Sequence, residues 1–412
     1  MRSTTPPKRK WTTNLVTRRG FLGGGAAAAA SGVIGVTGGA YAAGAVGAQN
    51  LETFAAKREL SFRGNHQMGI EADLQAVTNF IAFDIKPTTD KAAMLRFMSL
   101  ITDDIDRLSR GEPVLADPSP ELAIGAARFS AYVGFGPDLF EKLGLQAQMP
   151  TGFGRLPAFK VDQLQDQHSS GDVLIHIAAD DPVVLAHGTR GIVRDAMPFA
   201  SVRWVQSGFA HTPGMVPPGI THRNLMGQVD GTANPTLGTE DFNQVVWIED
   251  GPAWIQGGTL LAYRRIAMQL DTWDQLGTPS KEEVIGRKLS NGAPLTGDKE
   301  SDIPDLAARH PNGLSVIPEF AHIRRAAPAS PGERIFRRPF SYEAGISTAG
   351  SVDVGLLWTA YQRNMDNQFI PIQSRLDELD LLNKWTAPIG SAEFAIAGGV
   401  LDGEVIAEAL FS

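Results

Sequence analysis

Asp230, His322 and Arg337 are three side chains whose types together suit one chemistry. A carboxylic acid can carry a proton to and from a bound peroxide. A histidine can hold iron by one ring nitrogen while an acceptor orients the other. An arginine can stabilise negative charge as an O–O bond breaks in a dry site. Asp230 lies within Arg223-Asn-Leu-Met-Gly-Gln-Val-Asp-Gly-Thr-Ala-Asn-Pro235, where small residues at 227, 231 and 233 would let backbone approach a flat ligand. Asp-Gly is equally a common turn pair, and a plain turn explains it as well.

His322 is one of eight histidines and competes with His66, His176, His187, His222 and His310. A lone histidine is more often structural than a ligand. No pair has the i, i+4 spacing of a helical metal site and H-E-x-x-H is absent, which argues against a zinc hydrolase. Arg337-Arg338 follows Ile335-Phe336 and precedes Phe340, a pattern for a strand passing a buried site, although arginine pairs are also common on surfaces. The sequence has no Walker motif, no G-x-G-x-x-G opening a helix and no G-x-S-x-G, so nucleotide binding and acyl transfer lack support.

The elements that must position these groups follow from periodicity. Phe80–Ile85, Ala127–Gly134, Asp172–Ala178 and Ser201–Ser207 are expected strands, and Lys91–Arg110, Pro137–Leu145 and Pro182–Asp195 helices. A second half repeats the rhythm. Gln244–Ile248, Gly258–Gln269 and Leu356–Gln362 are strand-like, while Thr272–Leu276, Ser280–Ile285 and Asp366–Asp380 are helical. Gln49–Arg63 is a polar, partly helical lead-in. His211–Ile220 is a Pro/Gly-rich crossing loop, and 286–331 a long irregular segment that carries His322. Two such halves predict an α+β fold of two sandwich domains side by side, over 50–212 and 213–412.

The 412 residues are 43% apolar and 20% charged, enough for a large core without staples. The absence of cysteine excludes thiolate chemistry, iron–sulfur clusters and covalent c-type haem. Residues 1–42 are expected to be a signal peptide. Thr17-Arg-Arg-Gly-Phe-Leu22 has twin-arginine character, the stretch to Ala43 is too rich in Gly and Ala for a confident membrane span, and Ala40-Tyr-Ala42 fits a cleavage site. Export to the periplasm or the exterior follows, with no stable membrane span after cleavage. Residues 1–42 hold six Lys/Arg and no acid, so their removal takes the net charge from −8 to −14. A chain that acidic is not expected to bind nucleic acid.

The chain resembles the dye-decolorizing haem peroxidases, in particular the exported branch that includes deferrochelatase-like peroxidases. The resemblance runs from Gly64-Asn-His-Gln-Met-Gly-Ile70 to Thr386-Ala-Pro-Ile-Gly-Ser-Ala-Glu-Phe-Ala395. It is carried by Asn224-Leu-Met-Gly-Gln-Val-Asp-Gly-Thr-Ala-Asn-Pro235, Val246-Trp-Ile248, Gly257-Gly-Thr-Leu-Leu-Ala-Tyr-Arg-Arg265, Ala321-His-Ile-Arg-Arg-Ala326 and Ile335-Phe-Arg-Arg338. It implies two ferredoxin-like domains, with one haem b in the second. It implies Asp230 as distal acid, Arg337 as distal cation and His322 as iron ligand. Gly231, Thr232, Ala233, Ala327, Pro328, Ala329 and Arg337 would be further haem contacts.

The implied activity uses hydrogen peroxide to oxidise dyes, phenols or other one-electron donors through a high-valent iron-oxo state. The alternatives are release of iron from haem in iron uptake, and a haem carrier without turnover. A homo-oligomer is possible. Three positions depart from relatives. Asn364 stands where many have an acid expected to orient the proximal histidine, with Asp366 as a substitute. Ala329 stands where an arginine is usual, with Arg324, Arg325 or Arg223 as replacements on a haem carboxylate. Pro339 follows the arginine pair and would alter the distal wall. Trp358, Tyr361, Tyr342 and Tyr263 could relay electrons, although core packing is the commoner fate of such residues.

Overall fold

The computed structural model describes residues 58–217, 220–346, 350 and 352–412. The expected signal peptide and cleavage site lie outside these residues. Among the described residues no helix is long and apolar enough to cross a membrane.

Strands β1 (Val77–Ile85), β2 (Ser130–Phe135), β3 (Val173–Ala179) and β4 (Ala200–Phe209) pair antiparallel in the order β4-β1-β3-β2. Helix α1 (Lys91–Ser109) follows β1, short α2 (Pro137–Lys142) follows β2, and α3 (Pro182–Ala196) joins β3 to β4. Both long helices start at aspartates that accept backbone N–H groups, Asp90 from Ala93 and Asp181 from Val183 and Val184. β2 begins later than predicted because Ala127 and Arg128 have φ of 45° and 52°, which no strand accommodates. Residues 58–63 of the predicted lead-in form no helix.

The second half contains α4 (Glu240–Val246), β5 (Thr259–Met268), α5 (Leu270–Trp273), α6 (Thr278–Ile285), α7 (His322–Arg325), β6 (Phe336–Arg337), β7 (Phe340–Ile346), β8 (Val352–Gln362), α8 (Phe369–Leu379) and β9 (Thr386–Ile396). Its sheet order β9-β5-β8-β7 repeats the first sheet's 4-1-3-2 pattern, so both halves are β-α-β-β-α-β ferredoxin-like units. The expected strand at Gln244–Ile248 is a correction. Thr239 accepts from Phe242 N at 3.2 Å and starts α4 with Glu240 and Asp241 in its first turn. The apolar run Val245–Ile248 is thus the end of a helix and the residues after it.

The two sheets join edge to edge at Gly134–Phe135 with Ala395–Ile396 and at Phe209 with Ser341, which closes the strands into a ring. The period of two sorts their side chains. Phe80, Tyr132, Leu174, Tyr263 and Phe394 fill the inside, while Ile81, Val133, Ile175 and Ala262 pack outward under the helices. Tyr361, Tyr342 and Tyr263 belong to this inner cluster, and Tyr361 Oη lies 2.7 Å from Tyr132 Oη.

One outward packing site carries a charge problem. Asp104 of α1 is fully buried and, among the described residues, neither of its carboxyl oxygens has a hydrogen-bond partner. Burial first, then the Asp195 carboxylate of α3, pushes its pKa up to about 7. An acid whose folded pKa lies above its unfolded value is held in its protonated form by folding. Between about pH 4 and pH 7 the folded state therefore binds more protons than the unfolded chain. Stability falls across that window as pH rises, by up to about 1.4 kcal/mol per unit from this group. Asp104→Asn is expected to flatten the decline and to raise Tm at pH 8. Thermal melts of both proteins from pH 5 to pH 8 with the same slope would refute this.

Candidate active site

The outer face of the second sheet is the floor of a cavity of about 550 Å³. Arg264, Ile266 and Met268 of β5, with Leu356 and Trp358 of β8, line it on alternate positions. The walls come from the 224–233 loop, α7, α8 and the segment after Asp380. The volume lies within the range of cofactor pockets, roughly 300–1,000 Å³.

Asp230, Arg337 and His322 all line this cavity. Gly227 (φ 78°) and Gly231 (φ 130°) adopt backbone angles that side chains disfavour, so the Asp230 loop depends on them. Asp230 Oδ1 accepts from Arg337 Nη1 at 3.1 Å, and Asn224 Nδ2 reaches Oδ2 at 3.4 Å. Arg337 is on β6, opposite Ala360 of β8. Asn234 clamps its backbone, accepting from Arg337 N at 3.0 Å and donating to Arg337 O at 2.7 Å. Alternation along the strand sends the next arginine the other way. Arg338 is buried and donates to Ala72 O, to Asp73 O at 3.2 Å and to Gln75 Oε1 at 2.7 Å. Pro339 does not line the cavity; lacking an N–H, it separates β6 from β7.

His322 opens α7 rather than standing in irregular chain. Its Nδ1 lies 2.6 Å from Asp380 Oδ2. Asp380 is buried, and its other oxygen accepts from Leu382 N at 3.0 Å. An acceptor-only carboxylate fixes the Nδ1–H tautomer and leaves Nε2 for a ligand. Burial disfavours the charged imidazole, but the Asp380 carboxylate outweighs it and the pKa is raised. Arg337 and Asp230 act on this ring in opposite directions, so all three expected residues share one electrostatic site.

Asp380 corrects the expectation placed on Asn364 and Asp366. Asn364 lies away from His322 in a separate cleft, and Asp366 is exposed. Of the further expected contacts, Gly231, Thr232, Ala233, Ala327 and Pro328 line the cavity and Ala329 does not. Its N–H donates to Glu333 Oε2 at 3.1 Å, which ties the loop back on itself. Arg223, Arg324 and Arg325 do not line the cavity either; they are spent on backbone carbonyls and, for Arg325, on Glu378. Arg264, Arg287 and Arg334 are the other cations on its wall. Of the four candidate relay residues, only Trp358 reaches the cavity.

Three of the competing histidines have other partners. His66 stacks on Trp247 with 3.8 Å between centroids, His176 bonds Thr78 Oγ1 at 2.8 Å, and His187 bonds Asp117 at 2.8 Å. Among the described residues no group of three or more His, Asp or Glu could hold a metal ion. Iron here needs a ligand frame that brings most of its own donors, as a porphyrin does. The free Nε2 of His322 and the largely apolar cavity fit that group.

The chain matches the family models Dyp-type peroxidase, N-terminal, over 67–210 and Dyp-type peroxidase, C-terminal, over 221–401. It is 35% identical to a dye-decolorizing peroxidase of Thermobifida fusca (strain YX), with 92% of this chain and 94% of that protein covered. It is 34% identical to a deferrochelatase of Yersinia pestis bv. Antiqua (strain Nepal516), over 83% of this chain and 82% of that protein. The crystal structure of a DyP-type peroxidase from Cellulomonas bogoriensis superposes with a TM-score of 0.84 at 43% identity, covering 87% of this chain and 99% of that one. The chain therefore belongs to the Dyp-type peroxidase family, and it is an enzyme with haem as its cofactor.

Proposed function

We propose that the enzyme is a haem b peroxidase that uses hydrogen peroxide to oxidise dyes, phenols or other one-electron donors. One observation carries the reading: a single cavity is lined both by the Asp230–Arg337 ion pair and by the Asp380-oriented His322. Haem, when bound, would supply the redox chemistry that links the two-electron reduction of peroxide to the one-electron oxidation of donors.

The chain's own residues hold, orient and move protons. His322 would hold the iron through Nε2, its Nδ1–H resting on Asp380 Oδ2 at 2.6 Å. That acceptor makes the imidazole a stronger donor and fixes its plane. The Asp230 carboxylate takes a proton from one peroxide oxygen and returns it to the other, so that the second leaves as water. Arg337 keeps Asp230 aimed at 3.1 Å and places positive charge beside the departing oxygen. The clamp from Asn234 holds the guanidinium's backbone in place. The apolar floor of Ile266, Met268 and Leu356 excludes water, which strengthens these electrostatic terms.

Arg337→Leu in the haem-loaded enzyme is expected to slow the reaction with peroxide by about 10²–10³-fold, the cost of one preorganised donor. Stopped-flow absorbance at the Soret band measures it, and an unchanged rate would refute the role. Analysis of the products tests the activity itself. Iron-free porphyrin, in place of peroxide-dependent donor oxidation, would assign the site to the activity named in the deferrochelatase relative.

A further inference from the structure

A second cleft, of about 440 Å³, lies where α4, the end of β8 and the 331–334 loop meet. Arg334 lines both this cleft and the main cavity, so a single side chain stands between them. The cleft's lining is unlike that of the main cavity. Asp241, Gln244, Arg334, Arg363, Asn364 and Asn367 contribute polar groups.

The charges do not cancel. Arg334 donates both terminal nitrogens to Asp241, one of them at 2.8 Å, and this pairing holds the Asp241 pKa below the usual carboxylate range. The pair is therefore internally neutral. Arg363 is half-buried, and its guanidinium has no hydrogen bond or ion pair among the described residues. Its backbone N–H is fixed on Val245 O at 3.1 Å. The Asn364 Oδ1 is occupied by Asn367 N at 3.0 Å, which leaves the Asn364 amide nitrogen to donate. A half-buried arginine without a partner has lost part of its hydration and gained nothing in return. An anion with planar oxygens restores those contacts in a fork geometry that lysine cannot copy. In a chain of net charge −8 such a local cation is also the place where an anionic molecule escapes the general repulsion.

We infer that this cleft is a docking site for anionic aromatic electron donors, carboxylates or sulfonates, whose acid group is held by Arg363. The inference rests on the peroxidase reading for the donor's aromatic character, and on the cleft alone for its charge. Val245, Pro331 and Gly332 supply the apolar surface on which a ring can lie. The docked donor is then one side chain, Arg334, away from the wall of the haem cavity.

The test compares the holoenzyme with Arg363→Gln and Arg363→Lys on two donors at saturating peroxide. One donor is the aromatic disulfonate ABTS and the other the neutral phenol guaiacol. Arg363→Gln should raise KM for ABTS by about ten-fold, the size of one charge-assisted hydrogen bond, with kcat and both guaiacol constants unchanged. Arg363→Lys should recover part of the loss. Raised ionic strength should weaken ABTS in the wild type and have little effect in Arg363→Gln. Equal changes for both donors, or no change for either, would overturn the inference. Calorimetric titration of ABTS without peroxide keeps the two readings separate. Binding that weakens in Arg363→Gln supports the cleft even if the enzyme oxidises neither donor, and that failure would count against the peroxidase reading alone. Binding equal in wild type and variant overturns the cleft whatever the turnover.

Discussion

Asp230→Asn is expected to slow the reaction of the haem-loaded enzyme with hydrogen peroxide by about 10²–10⁴-fold, the range for a positioned acid–base group. The substitution removes little else. Asparagine has the same shape, and its amide oxygen still accepts from Arg337 Nη1, now at 3.1 Å from Asp230. Asn224 keeps a polar neighbour. What disappears is a group that can take a proton and return it. Haem content and the resting Soret maximum should therefore match the wild type, while the rate of the peroxide-induced spectral change falls. Asp230 and Arg337 act as one unit through their ion pair, so the double variant with Arg337→Leu should lose far less than the product of the two single losses. A rate within a few-fold of the wild type would remove Asp230 from the mechanism. Multiplicative losses would show two groups acting separately.

His322→Ala has the largest expected effect on the cofactor. It deletes the imidazole whose Nε2 is left free when Nδ1 binds Asp380, and it leaves Asp380 buried without its 2.6 Å partner. An unpaired buried carboxylate costs about 3–5 kcal/mol where a buried pair is broken. Reconstitution followed by gel filtration should give a much lower haem-to-protein ratio and a shifted Soret band in whatever haem remains. Full loading with an unaltered spectrum would exclude His322 as the ligand. Asp380→Asn separates the ligand from its support. Haem should stay, and the ferric–ferrous potential should rise, because a neutral amide leaves the imidazole a poorer donor. Potentiometric titration reads this directly, and a fall in potential would contradict it.

Much of this site was legible in the sequence because its key residues lie within short, ordered motifs. Gly227, Asp230 and Gly231 announce a glycine-hinged turn, and Arg337-Arg338 flanked by apolar residues announces a strand. The supporting residues were harder to see. Asp380 is 58 positions from His322 and meets it only because α7 packs on α8, whose C-cap is Asp380. Nothing local distinguishes it from an ordinary helix-capping aspartate. Asn364 is the nearer candidate by resemblance, but the end of β8 turns it into the polar cleft. Asn234 was visible as part of the Asn-Pro turn, and its clamp on Arg337 appears only once the two loops meet.

The fold divides in the same way. Long amphipathic helices such as α1 and α3 were clear because sequence period and capping agree. The sequence pattern marks neither β7 nor β9, and it points to a strand where α4 ends. β9 is buried along most of its length, so it lacks the alternation that marks a half-exposed strand. The apolar Val245–Ile248 run has no periodicity long enough to distinguish helix from strand.

The adjacent arginines of β6 have a consequence for how the two halves depend on each other. Arg337 faces the cavity of the second half while Arg338, one residue on, is gripped by Ala72, Asp73 and Gln75 of the first. A slip of one residue in this two-residue strand exchanges their faces. Such a slip would leave the composition of the cavity wall almost unchanged, arginine for arginine, while moving the guanidinium away from Asp230. The first half thus acts as a ruler against which the distal side of the site is indexed, although none of its described residues lines the cavity.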